Sequence, residues 1–211
     1  PRVQVVLEPA DLPQGATRIR EEQTEELDFQ PGHFFVRQYI RPVYVKDEAF
    51  VIADLPSRPI PKAIAGAGLL AQIVIDKYVD HLPLHRQQQR FSRESLNIPY
   101  STITDWVSST CTLITPLYEA LKKQVLQSPY LHADETPIKV LDKDKKGSAH
   151  RGFYWVYHNS LDDLVFFDYQ QGRGREGPQQ ILEGYSGYLQ TDGYSVYNII
   201  ADKTEATLLH C

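Results

Sequence analysis

Two short stretches decide the fold of the C-terminal part of this chain: YLHADETPIKV at residues 130–140 and YLQTDGYSVY at residues 188–197. Both begin with alternating apolar and polar side chains, which is typical of a half-buried β-strand. Asp134 ends the apolar half of the first predicted strand, and Asp192 stands where the second gives way to glycine, a common turn signal. Each stretch therefore predicts an aspartate at a strand end.

Apolar and polar side chains alternate with a period of two through residues 129–211, and two short helical segments interrupt this alternation. The predicted order is three strands, a helix, a strand, a helix and a strand. This order is typical of a mixed ribonuclease-H-like sheet, so we expect an α/β (α+β) fold with an incomplete ribonuclease-H-like core. The predicted strands are at residues 130–141, 152–158, 164–169, 187–191 and 206–210, and the helices at 178–183 and 192–200.

The region before this core has a helical period. Apolar side chains share one helical face from Leu69 until Pro83 ends the helix, and further helices are predicted at residues 84–93 and from Tyr100 onward. Proline lacks an N–H and breaks helices, so Pro116 predicts a division of the last helix. We interpret residues 69–128 as a helical subdomain that could contain a helix-turn-helix.

The N-terminal region differs again in pattern. Residues 1–55 contain short alternating runs between turn-forming or charged residues, which predicts a small β-rich module. Residues 56–68 hold three prolines and two glycines, and we interpret this segment as a linker.

Composition and charge exclude several classes of protein. The 211 residues are 42% hydrophobic and carry a net charge of −5, which is typical of a globular chain and not of a disordered or uniformly basic one. The two cysteines form neither a disulfide framework nor a zinc knuckle, so a reducing, intracellular setting is the default. No window is apolar enough for a membrane helix, and no secretion signal is visible. The chain starts at Pro1 and lacks Met, so we expect a piece of a longer protein.

The paired aspartates predict metal chemistry. In a ribonuclease-H-like sheet the first and fourth strands are neighbours, so Asp134 and Asp192 would face each other and repel unless a cation lies between them. Mg²⁺ or Mn²⁺ suits such oxygen ligands and supports phosphoryl transfer. Strand alternation turns Glu135 to the opposite face and makes it a weaker candidate. Ordinary turn or cap chemistry remains an alternative for each aspartate, and a glycosidase is a third functional class that also uses two carboxylates.

Basic and small polar side chains predict contacts with DNA. Short polar residues at the start of the third helix could enter a major groove, while arginines before it and basic residues in two loops of the core could contact phosphates. A solvated helix face or hairpin tip would show the same charges. The candidates are Arg86, Arg90, Arg93, Ser101, Thr102, Thr104, Lys143, Lys145, Lys146, Arg173 and Arg175.

Four motifs in order give the chain a family resemblance: residues 58–87, STITDWV at 101–107, LHADETPIKV at 131–140 and LQTDGYSVYN at 189–198. Together they resemble the transposases of insertion-sequence family 66. That family is a DDE-type group, in which two Asp and one Glu bind a divalent metal in a ribonuclease-H-like domain. The resemblance implies that Asp134 is the first Asp and Asp192 the second. It also implies that the Glu lies downstream, beyond Cys211.

The resemblance carries further expectations. The family often has a zinc-binding module before the linker, but this N-terminal module lacks its cysteines, so we expect no zinc. We expect a fragment of a transposase that cleaves and joins DNA at transposon ends, inactive by itself in strand transfer. The expected partners are transposon-end and target DNA, with assembly of a homo-oligomer on DNA and a cytoplasmic, nucleoid-associated location. The alternative is a catalytically dead remnant that only binds DNA.

Overall fold

A computed structural model of the chain describes residues 2–30, 32–141 and 147–210, without the side chain of Gln30. The chain divides into two compact units, residues 1–114 and 115–211. Both contain a β-sheet and helix, so the α+β class predicted from sequence is confirmed. None of the helices within the described ranges is both long and apolar enough to cross a membrane.

The first unit begins with a four-stranded sheet built around a long hairpin. The second and third strands pair antiparallel over most of their length, and the first strand joins the third in parallel. A short fourth strand pairs with the other part of the third. The strands are β1 (Arg2–Val6), β2 (Thr17–Gln30), β3 (His33–Lys46) and β4 (Ala49–Ile52).

Three helices follow the sheet: α1 (Ala67–Tyr78), α2 (Leu84–Arg93) and α3 (Tyr100–Leu126). Buried apolar side chains of α1, α2 and the N-terminal half of α3 form one core with Leu27 and Phe34 from the sheet. Helix α3 continues through Pro116, so the predicted division of this helix is wrong. Proline inside a helix removes one hydrogen bond without necessarily ending the helix. The boundary between the two units nevertheless falls at residues 114 and 115, one residue before Pro116.

The segment predicted as a linker makes specific contacts. Arg58 donates hydrogen bonds to the carbonyl oxygens of Ala63 (3.2 Å) and Glu25 (3.4 Å), and it forms an ion pair with the buried Glu26. Gly68 lies so close to β2 that a Cβ there would be 2.7 Å from a carboxylate oxygen of Asp28. Glycine is therefore required for the close approach of α1 to the sheet.

The second unit contains five strands and two short helices, in the order predicted from sequence. The elements are β5 (Tyr130–Leu141), β6 (Ala149–Asn159), β7 (Leu164–Gln170), α4 (Glu176–Ile181), β8 (Tyr188–Thr191), α5 (Ser195–Ala201) and β9 (Thr207–His210). The strands form one sheet with the order β7-β6-β5-β8-β9. Strands β5, β6 and β7 form an antiparallel meander, and β8 and β9 add in parallel on the other side of β5.

The core of this unit lies on one face of the sheet. Buried strand residues, among them Leu131 and Leu189, pack with Ile181 of α4 and Ile200 of α5. Alternation along β5 makes Leu131 and Ala133 buried while Asp134 is exposed. Where the candidate site begins, one face of the sheet is therefore buried against the core and the other is exposed to solvent.

We expect two identical substitutions in β5 to have different costs. Leu131 is fully buried whereas Leu141 is 75% exposed. Leu131→Ala should lower the free energy of unfolding by about 2–5 kcal/mol, because it leaves a cavity in the core. Leu141→Ala should change it by less than about 0.5 kcal/mol. Urea denaturation followed by circular dichroism measures both, and equal losses would contradict the burial of Leu131 and the exposure of Leu141.

Candidate functional site

The candidate site lies where β8 ends beside β5. Asp192 directly follows β8, whereas β5 continues past Asp134 to Leu141, so the predicted strand end at Asp134 is wrong. The register pairs Tyr130 with Tyr188 and His132 with Gln190. Asp134 is two residues beyond His132, and Asp192 is two residues beyond Gln190. Neighbouring strands are about 4.8 Å apart. The predicted adjacency of the strands that carry these aspartates is therefore confirmed.

Each aspartate is fixed by a local hydrogen bond. The backbone N–H of Glu135 donates to Oδ1 of Asp134 at 2.7 Å. The backbone N–H of Tyr194 donates to Oδ1 of Asp192 at 3.0 Å, across a turn in which Gly193 has a φ of +83°. Glycine adopts this left-handed conformation without strain. Both aspartates are exposed, which leaves their carboxylates accessible from solvent.

Glu135 lies on the face opposite to Asp134, as alternation predicts, but its environment was not predicted. Its side chain is 1% exposed and forms an ion pair with Arg173. The hydroxyl of Tyr197, on α5, donates to Glu135 Oε2 at 3.4 Å. The sequence contains no signal for the pairing of Glu135 with Arg173, because these residues are 38 positions apart.

The ion pair affects the two partners differently. Burial raises the pKa of Glu135 above its ordinary value, and the nearby Asp192 and Asp134 add to the rise, although Arg173 opposes it. The hydrogen bond to Glu135 also raises the pKa of Arg173, so the guanidinium stays charged. Since a guanidinium stays protonated in proteins, Glu135 is the member of the pair whose protonation changes with pH.

The donor set formed by the two aspartates has the chemistry of ligands for a hard divalent cation. Two exposed carboxylates supply only oxygen ligands, and Mg²⁺ is commonly bound by one or two protein carboxylates with water and phosphate oxygens completing its shell. Within the described ranges, no group of three or more His, Cys, Asp or Glu side chains is arranged to hold a metal ion. Binding of Mg²⁺ or Mn²⁺ by Asp134 and Asp192 stays a prediction.

The predicted DNA-contacting residues of the first unit have different surroundings. Arg86 and Arg93 on α2 are exposed, as are Ser101 and Thr104 near the start of α3. Thr104 donates its hydroxyl to the carbonyl oxygen of Tyr100 at 3.0 Å. Thr102 is half-buried.

Arg90 has a structural partner. It forms an ion pair with Asp76 of α1, whose side chain is 4% exposed and also accepts a hydrogen bond from Gln72. Its guanidinium also lies 5.8 Å from the ring centroid of Phe91. Arg90 therefore differs from the other arginines of α2 in having a buried countercharge.

The basic loops of the second unit are described only in part. Lys143, Lys145 and Lys146 lie outside the described residues. Arg175 is exposed and immediately precedes α4. Arg173 is 46% exposed but is engaged by Glu135 and by the ring of Tyr194. The DNA-contacting roles of all these side chains stay predictions.

Comparison with known sequences establishes the family. The sequence profile of the IS66 transposase family matches residues 62–211, which include both aspartates and the whole second unit. The chain belongs to the IS66 family of transposases. The predicted family membership is confirmed.

The chain also resembles three uncharacterized proteins of Sinorhizobium fredii. It is 30% identical to y4hP over 197 residues, 28% identical to y4jD over 218 and 29% identical to y4qI over 216. The matches cover 88–95% of this chain but only 35–42% of the relatives. The chain therefore spans about two fifths of the length of these relatives.

We expect Glu135→Gln to change how stability depends on pH. A carboxyl group whose pKa is raised by folding contributes stability at low pH, and this contribution is lost as the pH rises through the raised pKa. Gln is neutral throughout. From acidic to neutral pH, the wild-type chain should therefore lose stability relative to the variant, by about 1.4 kcal/mol per unit of pKa shift.

Thermal or urea unfolding across this range of pH measures the difference. The exposed Glu183 offers a matched control, and Glu183→Gln should follow the wild-type curve. Parallel curves for wild type and Glu135→Gln would contradict the burial of a titrating carboxyl group.

Proposed function

We propose that this chain supplies the first two carboxylates of a DDE-type transposase centre, which cleaves and joins DNA by metal-dependent phosphoryl transfer. The observation that carries the proposal is that Asp134 and Asp192 each lie two residues beyond a paired residue, His132 or Gln190, of the adjacent parallel strands β5 and β8. Membership of the IS66 family supports it. The strand order supports a ribonuclease-H-like assignment, in which the first and fourth strands of the sheet are neighbours.

The two aspartates would bind the cation through the carboxylate oxygens that accept no backbone hydrogen bond in these two contacts. In each carboxylate, Oδ1 accepts a backbone N–H, so Oδ2 is oriented by that bond. When bound, Mg²⁺ or Mn²⁺ would activate an attacking oxygen and stabilise the leaving one. The role of this chain is to hold two anionic ligands close together on a rigid sheet. The family resemblance implies a third carboxylate further along the parent chain.

DNA at the transposon ends and at the target site is the proposed substrate. Helices α2 and α3 would bind it as a helix-turn-helix, with exposed Arg86 and Arg93 on phosphates and Ser101 near base edges. Since the chain as a whole carries a charge of −5, affinity would depend on these local basic groups. Action on chromosomal DNA would place the parent protein at the nucleoid, and assembly as a homo-oligomer would bring two transposon ends together.

We expect the 211-residue chain to be inactive in strand transfer, because two carboxylates orient the metal poorly. A version of the chain that continues to the downstream Glu should cleave its own transposon ends in the presence of Mg²⁺. Asp134→Asn or Asp192→Asn in that longer chain should reduce cleavage to background, since a neutral amide is a poor ligand for a hard cation. A gel assay of plasmid cleavage measures this activity.

The matched control is Asp202→Asn, which alters an exposed aspartate just after α5 and should leave cleavage unchanged. Undiminished cleavage by Asp192→Asn, with the fold verified by circular dichroism, would overturn the mechanism. DNA binding without cleavage by the longer chain would favour the alternative, a remnant that binds DNA and does no chemistry.

The arginines of α2 should separate into two groups. Replacing both Arg86 and Arg93 by Ala should weaken binding to a short DNA duplex, and it should reduce the salt dependence of log K by about 0.9 for each phosphate that is no longer neutralised. Stability should not change, because both side chains are exposed. Arg90→Ala should instead lower the free energy of unfolding by about 1–3 kcal/mol, because the buried Asp76 loses its partner.

Fluorescence anisotropy over a series of salt concentrations, together with urea denaturation, measures both effects. A double variant that binds DNA like the wild type would exclude α2 as a phosphate-contacting helix.

A further inference from the structure

Both aspartates are connected, through the residues that hold them, to the same arginine. Glu135 donates its backbone N–H to Asp134, and Tyr194 donates its backbone N–H to Asp192. The side chains of these two donor residues both contact Arg173. Its Nε donates to Glu135 Oε1 at 2.7 Å, and its Cζ lies 3.9 Å from the ring centroid of Tyr194. Arg173 therefore links the residue of β5 that orients Asp134 to the turn that orients Asp192.

Further contacts close this cluster. The hydroxyl of Tyr194 donates back to the carbonyl oxygen of Arg173 at 3.1 Å, so the loop after β7 is held at both its backbone and its side chain. Tyr194 also stacks on Trp155 of β6, with ring centroids 6.5 Å apart and planes inclined by 30°. The hydroxyl of Tyr197 also donates a hydrogen bond to Oε2 of Glu135. Residues of β5, β6 and α5 thus converge with the two segments that carry Arg173 and Tyr194.

We propose that Arg173 is a positioning residue for the cation site, and that it acts through Glu135 and Tyr194 to keep Asp134 and Asp192 in register. The proposal rests on the proposed function, because it assumes that these aspartates bind a divalent cation. Arginine suits the role, since its planar guanidinium can bond a carboxylate along one edge while its face stacks on an aromatic ring. Lysine can do neither in this way.

This role differs from the contact with DNA that the sequence suggests for Arg173. Its Nε and Nη2 are both occupied by Glu135, and its face is occupied by Tyr194. A phosphate would have to compete with a carboxylate whose side chain is 1% exposed and would then lose its countercharge. The arginine is thus committed within the protein.

A purely electrostatic role and a positioning role of Arg173 predict opposite effects of its removal on the affinity for metal. A positive charge near two carboxylates repels a cation, so removing an arginine that served only as a charge would strengthen binding of the metal. Removing an arginine that keeps the carboxylates in register would weaken it, as loss of supporting contacts around metal ligands does. The sign of the change therefore distinguishes positioning from charge.

The test is titration of the 211-residue chain with Mn²⁺ alone, followed by electron paramagnetic resonance of the free ion. Arg173→Met and Arg173→Lys should both weaken Mn²⁺ binding by about tenfold. The lysine variant keeps the charge and so isolates the geometry. Arg175→Met and Arg175→Lys are matched controls, because Arg175 is an exposed arginine in the same loop, and both should bind like the wild type.

Asp192→Asn separates failure of the inference from failure of the proposed function. If it abolishes Mn²⁺ binding while the Arg173 variants bind as well as or better than the wild type, the positioning role is overturned and the metal site stands. If Asp192→Asn binds Mn²⁺ like the wild type, or the wild type binds none, the metal site is wrong and the inference falls with it.

Amide hydrogen exchange in the metal-free chain gives a second readout. If Arg173 links β5 to the turn before α5, exchange of the amides of both Glu135 and Tyr194 should accelerate in Arg173→Lys and stay unchanged in Arg175→Lys. Exchange at wild-type rates for both amides in Arg173→Lys would overturn the inference whatever the metal titration shows.

Discussion

The parallel pairing of β5 with β8 is the constraint on which the candidate site depends. Because β8 pairs in parallel with the first residues of β5, the residue that directly follows β8 is brought beside the part of β5 that carries Asp134. The pairing of His132 with Gln190 sets the register, and a shift by one residue would turn one aspartate toward the buried face. The long connection through β6, β7 and α4 serves this pairing, because parallel strands cannot be joined by a tight turn.

The same pairing explains why an acidic residue is buried beside the exposed pair. Since side chains alternate along β5, a solvent-accessible Asp134 requires the next residue to face the core. Glu135 occupies that position at a cost in desolvation, which its raised pKa records. Arg173 and Tyr197 offset part of this cost with hydrogen bonds. The cluster therefore combines a structural function with contacts that reach both aspartates.

Much of this arrangement could be predicted from sequence, because strand and helix periods are local properties. The alternation in residues 130–134, the Asp-Gly turn at 192–193 and the order of elements in the second unit all have such signals. The pairs Glu135–Arg173 and Asp76–Arg90 do not, because they join residues distant in sequence and any exposed arginine has the same local pattern. The helix break predicted at Pro116 is wrong for a related reason. The local preference of proline to break a helix is outweighed within α3 by the packing of the rest of the helix.

The proposed metal site requires that Asp134 and Asp192 together bind one divalent cation where β8 ends beside β5. An anomalous difference map from crystals of this chain soaked in Mn²⁺, recorded at the manganese absorption edge, tests this requirement. We expect a peak within bonding distance of a carboxylate oxygen from each aspartate, and no such peak in Asp192→Asn. A manganese peak bound elsewhere, with both carboxylates free of metal, would show that the two aspartates do not form the site.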